Sequence, residues 1–307
     1  MTDTTIDGIL AVRKPAGWTS HDVVAKARGL LGIRRIGHTG TLDPQVVGVL
    51  PLCIGRATRM VEYIQELPKQ YEATLLIGIA TDTEDATGTV IEEAEQVSLT
   101  KEAVTDAIMS FMGDIQQIPP MFSAVKINGK RLYDLAREGK EVERKPRQVT
   151  IHEIDIIDMH LDQPHPEVKF RVTCSKGTYI RTLCVDIGKK LGFPATMKEL
   201  MRTQTGSITL DQCLTLEQIA EMKQAGTIGQ HIIAADQGVA HLPAVILTDL
   251  LAEKARLGQR LKIDLELVPD HVANEAIVRV YSDNGSFVGL FVWKKEARLL
   301  SPHKIFG

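Results

Sequence analysis

The alternation of apolar and polar positions predicts a short strand over 8–12, running into Lys14-Pro15 and a turn at Gly17-Trp18. Thr19 followed three residues later by Asp22 has the form of a capping box. Val23, Val24, Ala27, Leu30 and Leu31 then share one helical face, and Gly32 is a natural stop. The apolar run 46–54 predicts a buried strand or the approach to one, and 56–63 a short helix. Tyr71, Ala73, Leu75, Ile77 and Ile79 alternate with Glu72 and Thr74, the period of a half-buried strand. A polar turn with Asp82, Asp85 and Gly88 leads into Thr89-Val90-Ile91. Thr100 caps a helix whose stripe is Val104, Ala107, Ile108, Phe111 and Met112, with Gly113 as its end.

The pattern then lapses over 116–147. Pro119-Pro120 stops regular structure, Asn128-Gly129 signals a tight turn, and only 131–138 predicts a helix. A basic, polar stretch of this length is long for a passive connection. Sheet signals resume at Val149: Val168, Phe170, Val172 and Cys174 alternate with Lys169, Arg171, Thr173 and Ser175. Gly177 ends that strand and opens a helix with the stripe Ile180, Leu183, Cys184, Ile187 and Leu191; Thr215 with Gln218 caps a further short one. From His241 the composition shifts to one helix (248–257) and short strands, with 276–281 and 287–293 flanking a hairpin turn at Asp283-Asn284-Gly285. Two units follow, 1–240 and a small β-rich 241–307, with no internal repeat.

Composition adds exclusions. Hydrophobic content of 44% and charged content of 24% are those of a chain with an ordinary core. No stretch is long and apolar enough for a membrane span, and the start has no signal-peptide form. The four cysteines, Cys53, Cys174, Cys184 and Cys213, form no C-x-x-C pair, which points to reduced, mostly buried thiols in a cytoplasmic protein. Net charge is only −3, but its distribution is uneven: 13–59 carries eight Lys/Arg against two acids, 126–147 eight against four, and 82–106 eight acids against Lys101. Two basic patches on a near-neutral chain suit a local polyanion site.

Within the first patch, the loop 34–51 (RRIGHTGTLDPQVVGVLP) holds a single acid, Asp43, with no other between Asp22 and Glu62. Pro44 holds Asp43 extended, and Gly37 and Gly40 permit close approach of another backbone. Arg181 falls in the first turn of its predicted helix, where the helix dipole disfavours a cation, so a partner carboxylate is called for.

Several motifs, in order along nearly the whole chain, resemble the TruB family of tRNA pseudouridine synthases. They are GHTGTLDP at 37–44, the strand-opening Tyr71, TDTEDATG at 81–88, PPMFSAVKINGKRLYDLAREG at 119–139, CSKGTYIRTL at 174–183, Leu200-Met201-Arg202 with Thr205-Gly206, and the terminal LLSPHKIFG. The resemblance implies an α+β fold: a mixed, largely antiparallel central sheet flanked by helices, with a small C-terminal β-rich domain of PUA-like fold. It implies isomerisation of uridine 55 in the T loop of tRNA to pseudouridine, without cofactor or metal and without an obligatory protein partner, by a monomer. On matching positions Asp43 would be the nucleophile, Arg181 its partner and Tyr71 the platform for the flipped base. His38 would fill the gap the base leaves, and Tyr179 and Leu200 would line the uridine pocket. The insertion 119–147 would grip RNA through Lys126, Lys130, Arg131, Arg137, Lys140, Arg144, Lys145 and Arg147.

The chemistry asks for such residues. Breaking a glycosidic bond develops positive charge on the sugar, which a carboxylate stabilises or captures. In a dry pocket that carboxylate needs a close cation to stay ionised. Extruding a stacked base costs roughly a few kcal/mol, which a wedge and an aromatic platform offset. Two rival readings are a guide-RNA-dependent pseudouridine synthase acting on ribosomal RNA and a non-catalytic RNA-binding or chaperone module.

Overall fold

The computed structural model describes residues 6–127 and 129–306. Within them, ten strands form a central sheet. Its order is Ile232–Ile233, Gly8–Lys14, Val47–Ile54, Ala195–Thr205, Lys69–Ile77, Glu167–Cys174, Arg147–His160 and Gly113–Gln117. Ile36–His38 pairs onto Val47–Ile54, and Ile208–Thr209 onto Ala195–Thr205. Pairing is antiparallel except where Ala195–Thr205 meets Val47–Ile54, so the sheet is mixed and largely antiparallel, as expected.

The strand periods account for the layers. In Glu167–Cys174, Val168, Phe170, Val172 and Cys174 are buried while Lys169 faces solvent. They join Ala73, Leu75 and Ile77 under the helices Lys101–Met109 and Ile180–Leu191. Full burial of each such side chain is worth about 1.5–3 kcal/mol. A second core packs the helices Ser20–Leu31 and Leu216–Gln224 on Gly8–Lys14 and Val47–Ile54. Thr19 and Asp22 form the anticipated capping box, and Gly32 ends that helix in the left-handed region.

Some boundaries differ from expectation. The helix begun at Lys101 stops at Met109, leaving Met112 exposed, because Gly113 already starts a sheet strand. The 56–63 segment divides into a 3-10 turn, Gly55–Met60, and a helix, Val61–Glu66. Within the 116–147 stretch, Lys126–Ile127 pairs with Lys130–Arg131 before the helix Leu132–Arg137. Asn128, half of the tight-turn signal, lies outside the described residues, as does Gly307.

The C-terminal region is β-rich as expected. Ala244–Leu247, Ala276–Ser282, Phe287–Lys294, Leu299–Ile305 and Leu261–Lys262 form a five-stranded sheet, with the helix Asp249–Arg256 against it. This sheet shares a core with the first unit. Ile277, Phe287, Leu290 and Phe306 join Ile9, Cys53, Ala57, Met60 and Ile64 in one apolar cluster.

The two halves of the large sheet meet at the short parallel pairing of Met201 with Val47 and Arg202 with Gly48. A Cβ on Gly48 would sit 2.1 Å from the Arg202 carbonyl oxygen, and its φ of +110° also disfavours a side chain. This seam, next to the loop of Asp43, is where a cleft opens.

Candidate active site

The loop that carries Asp43 is pinned by its main chain. Ser20 Oγ accepts from the Leu42 N–H at 2.9 Å, and the Val46 N–H closes a turn on the Asp43 carbonyl at 3.1 Å. Two buried cations complete the frame. Lys14 Nζ donates to the carbonyls of Pro44 (2.8 Å), Pro15 (2.9 Å) and Trp18 (2.5 Å). Arg202 Nε donates to the Val49 carbonyl at 2.6 Å, and its Nη2 reaches the Gly40 carbonyl at 3.3 Å. Carbonyl partners are what allow charged groups to be buried there. Burial nevertheless brings the Lys14 pKa down to about 8, against an upward pull from Asp43.

Arg181 enters from the other side of the seam. Its Nη2 lies 2.9 Å from Asp43 Oδ2, and the arginine side chain is 5% exposed against 42% for the aspartate. The same guanidinium donates to the Thr83 carbonyl at 3.0 Å and to the Phe122 carbonyl at 2.9 Å. Asp85 Oδ2 stands 4.0 Å from its Nη1, and Asp85 is itself held by Thr83 and Thr87. Arg181 is thus oriented on several sides, while the carboxylate keeps one face open to the cleft. Loss of solvent raises the Asp43 pKa above the usual carboxylate value, Arg181 pulls it down, and Asp85 pushes it up again.

The cleft has a volume of about 290 Å³ and brings together Asp43, Tyr71, Tyr179, Arg181 and Leu200. Tyr71 and Leu200 come from adjacent antiparallel strands, with Tyr71 opposite Arg202 and Leu200 opposite Ala73. Burial pushes the Tyr71 hydroxyl above its ordinary pKa. Tyr179 precedes the helix Ile180–Leu191, and its backbone is held at both polar atoms by the buried amide of Gln117 (3.0 and 3.1 Å). Lys69 also lines the cleft, donating to the carbonyls of Gln65 and Leu67; burial lowers its pKa to about 8.

His38 stands apart, at the rim. The cleft wall begins one residue later, at Thr39. Its Nδ1 accepts from the Gly40 N–H at 3.3 Å, and its ring meets His21 edge-on with centroids 5.2 Å apart. Burial, with His21 and Arg202 nearby, lowers its pKa, which favours the neutral ring.

The basic residues of the insertion do not line the cleft, although Ser123 and Ala124 of that segment do. Lys130 and Lys140 share Glu138, Arg144 pairs loosely with Glu141, and Arg131 and Arg137 lie against the Tyr133 ring. Lys126, Lys145 and Arg147 border a smaller pocket beneath the hairpin. Four framing residues, Lys14, Asp85, Gln117 and Arg202, were not anticipated. Asp85 and Arg202 lie within the motifs at 81–88 and 200–202, which could have singled them out; Lys14 and Gln117 carry no local signal.

Family comparison extends this picture along the chain. Residues 28–180 match the model of the TruB family pseudouridylate synthase N-terminal domain. Residues 181–240 match the tRNA pseudouridylate synthase B C-terminal domain, and 243–303 the C-terminal model of pseudouridine synthase II TruB. A relative from Bacillus pumilus, named tRNA pseudouridine synthase B, is 45% identical, covering 98% of both chains. One of the same name from Geobacillus thermodenitrificans is 47% identical over 84% of this chain and 86% of its own. Among solved structures, a Cbf5–Nop10–Gar1 complex matches with a TM-score of 0.77 at 25% identity, covering 99% of this chain and 86% of that one. An H/ACA RNP bound to a substrate RNA containing 2′-deoxyuridine matches at 0.76 with 23% identity over the same shares, a likeness of fold. By these family models and relatives, the chain belongs to the TruB family of pseudouridylate synthases.

Proposed function

We propose that this enzyme isomerises uridine 55 in the T loop of tRNA to pseudouridine, with Asp43 as the nucleophile. The observation that carries the reading is the Asp43–Arg181 pair at 2.9 Å in a cleft walled by Tyr71, Tyr179 and Leu200. The N1–C1′ bond breaks, C5 bonds to C1′ in its place, C5 gives up its proton and N1 gains one; no net atom or electron is added. Asp43 meets the cationic sugar, and Arg181 keeps the carboxylate ionised without entering the reaction. Tyr71 stacks on the everted base, worth about 1–3 kcal/mol, and His38 at the rim occupies the vacated place in the T loop. Tyr179 and Leu200 enclose the uracil ring. The relatives' shared name, tRNA pseudouridine synthase B, supports tRNA as the substrate.

The insertion 119–147 grips the T-arm through the phosphates, using the eight basic residues named above, and the 241–307 unit adds RNA contact. The enzyme works in the cytoplasm as a monomer, with no protein partner. The test is incubation of the purified protein with a T-arm stem-loop, followed by mapping of pseudouridine by chemical modification. Product at position 55 is expected from the native protein, and Asp43→Asn should lower the single-turnover rate at least ~10³-fold with the dissociation constant within about twofold. No product on the bare stem-loop, with product only when a guide RNA is supplied, overturns the stand-alone reading. Full turnover by Asp43→Asn overturns the nucleophile.

A further inference from the structure

Arg181 stands 2.9 Å from Asp43 and offsets part of the effect of burial on it, yet the helix that carries it starts poorly. Tyr179 makes no capping bond with its own side chain, Gln117 holds only the Tyr179 backbone, and a cation sits in the first turn, where exposed N–H groups already carry positive charge. Something outside the helix must fix that turn. From the 81–88 turn, Glu84 does so. Its Oε2 accepts from Thr182 Oγ1 at 2.8 Å, one residue beyond Arg181. Its carbonyl accepts from the Met197 N–H at 3.1 Å, tying the turn to the strand Ala195–Thr205. Its neighbours on either side supply the Thr83 carbonyl that Arg181 donates to and the Asp85 carboxylate 4.0 Å from it. Glu84 also has a φ of +65°, a left-handed backbone that a side chain disfavours. Glycine would relieve that backbone but could not make the contact to Thr182.

We infer that Glu84 is a positioning residue for the isomerisation: by holding Thr182, it fixes the first turn of the helix and so the approach of Arg181 to Asp43. The inference rests on the reading of Asp43 as nucleophile. Glu84 touches no reacting atom; its charge faces Arg181, Asp186 and Lys189, while Asp43 faces Arg181, Asp85 and Lys14. If Thr182 is released, Arg181 keeps the Thr83 and Phe122 carbonyls but shifts on them, and the Asp43 carboxylate loses part of its contact with that cation. It then holds its proton to higher pH.

The test compares Glu84→Ala, Thr182→Val, their double variant and Glu84→Gln in the full chain on a T-arm stem-loop. Glu84→Ala should slow single turnover about tenfold, leave the dissociation constant within twofold, and move the acidic limb of the pH–rate profile to higher pH. Thr182→Val should do the same, and the double variant should be no worse than either single one, since both delete one contact. Glu84→Gln keeps an acceptor for Thr182 and should recover most of the rate; it also serves if Glu84→Ala does not fold. Native rate with an unmoved acidic limb in Glu84→Ala and Thr182→Val, or a loss confined to binding, overturns the inference. The two readings fail separately. Inactive Asp43→Asn beside native-like Glu84→Ala sinks this inference alone, whereas full turnover by Asp43→Asn sinks the nucleophile first.

Discussion

An enzyme that keeps a carboxylate ionised in a cleft holds it against the preference of the surroundings, and Asp43 shows the cost. Its folded pKa is raised, chiefly by loss of solvent, with Arg181 offsetting part of the rise. The folded protein therefore binds that proton more tightly than the unfolded chain does. Above the raised folded value the charge costs stability; as pH falls toward the ordinary value of 3.8, both states take up the proton and the cost disappears. Asp43→Asn should thus raise Tm slightly at pH 7–8, by about 1–2 °C given the open face of the carboxylate, and the gain should fade in acid. Thermal melts of both proteins across pH check this; a lower Tm at neutral pH would mean that Arg181 gains more from the charge than desolvation takes away. At this scale the sequence was most legible where a residue contradicted its setting. A lone acid in a basic glycine-rich loop and a cation at a helix start stood out, and they prove to be each other's partner. Lys14 and Arg202 escaped because their task is to bind main-chain carbonyls, which any sequence supplies.

The elements were legible where the sheet period was undisturbed. Glu167–Cys174 reads cleanly because one face is core and the other solvent. Ala195–Thr205, the strand that joins the two halves, does not. Irregular pairings between Met197 and Glu199 and between Arg202 and Gln204 break its alternation, and Arg202 is buried in its second half. Gly113–Gln117 is a mostly exposed edge strand with no apolar stripe to reveal it. In the proposed function, the polarity of the insertion serves contact with RNA. Within it, Lys130 and Lys140 already face Glu138, whereas Lys126 and Lys145 are exposed and have no ion-pair partner among the described residues. These two should be the better phosphate contacts. Lys126→Ala with Lys145→Ala should weaken T-arm binding whatever the loop sequence, and flatten the plot of log affinity against log salt by about 0.7–1 per lysine. An unchanged salt slope, measured by titration at several ionic strengths, would falsify the contact.

At the scale of the whole molecule, the C-terminal sheet is more than an appended RNA-binding piece. None of the proposed catalytic residues lies beyond His241, so its removal looks harmless to the chemistry when only the sequence is in view. The packing argues otherwise. Leu290 is fully buried in the cluster that holds Met60 and Ile64, and this helical segment carries Gln65 and runs on toward Lys69, both of which line the cleft. The Arg56 side chain donates to the Phe306 carbonyl at 2.7 Å, and Lys304 meets Glu62 at 2.8 Å, so the last strand grips the same segment. Cutting the chain near residue 240 would expose Ile9, Ala57, Met60 and Ile64 together, and the remainder would lose apolar cover as well as RNA contact. A single substitution asks the question with less damage. Leu290→Ala should cost about 2–5 kcal/mol, and because the cluster spans both sheets, the variant should melt in one transition that reports from both. Trp18 in the first unit and Trp293 in the second allow each to be followed by fluorescence after replacing the other with Phe. A variant that melts in two steps, with the first unit unfolding at its native temperature, would show instead that the C-terminal sheet is a dispensable neighbour.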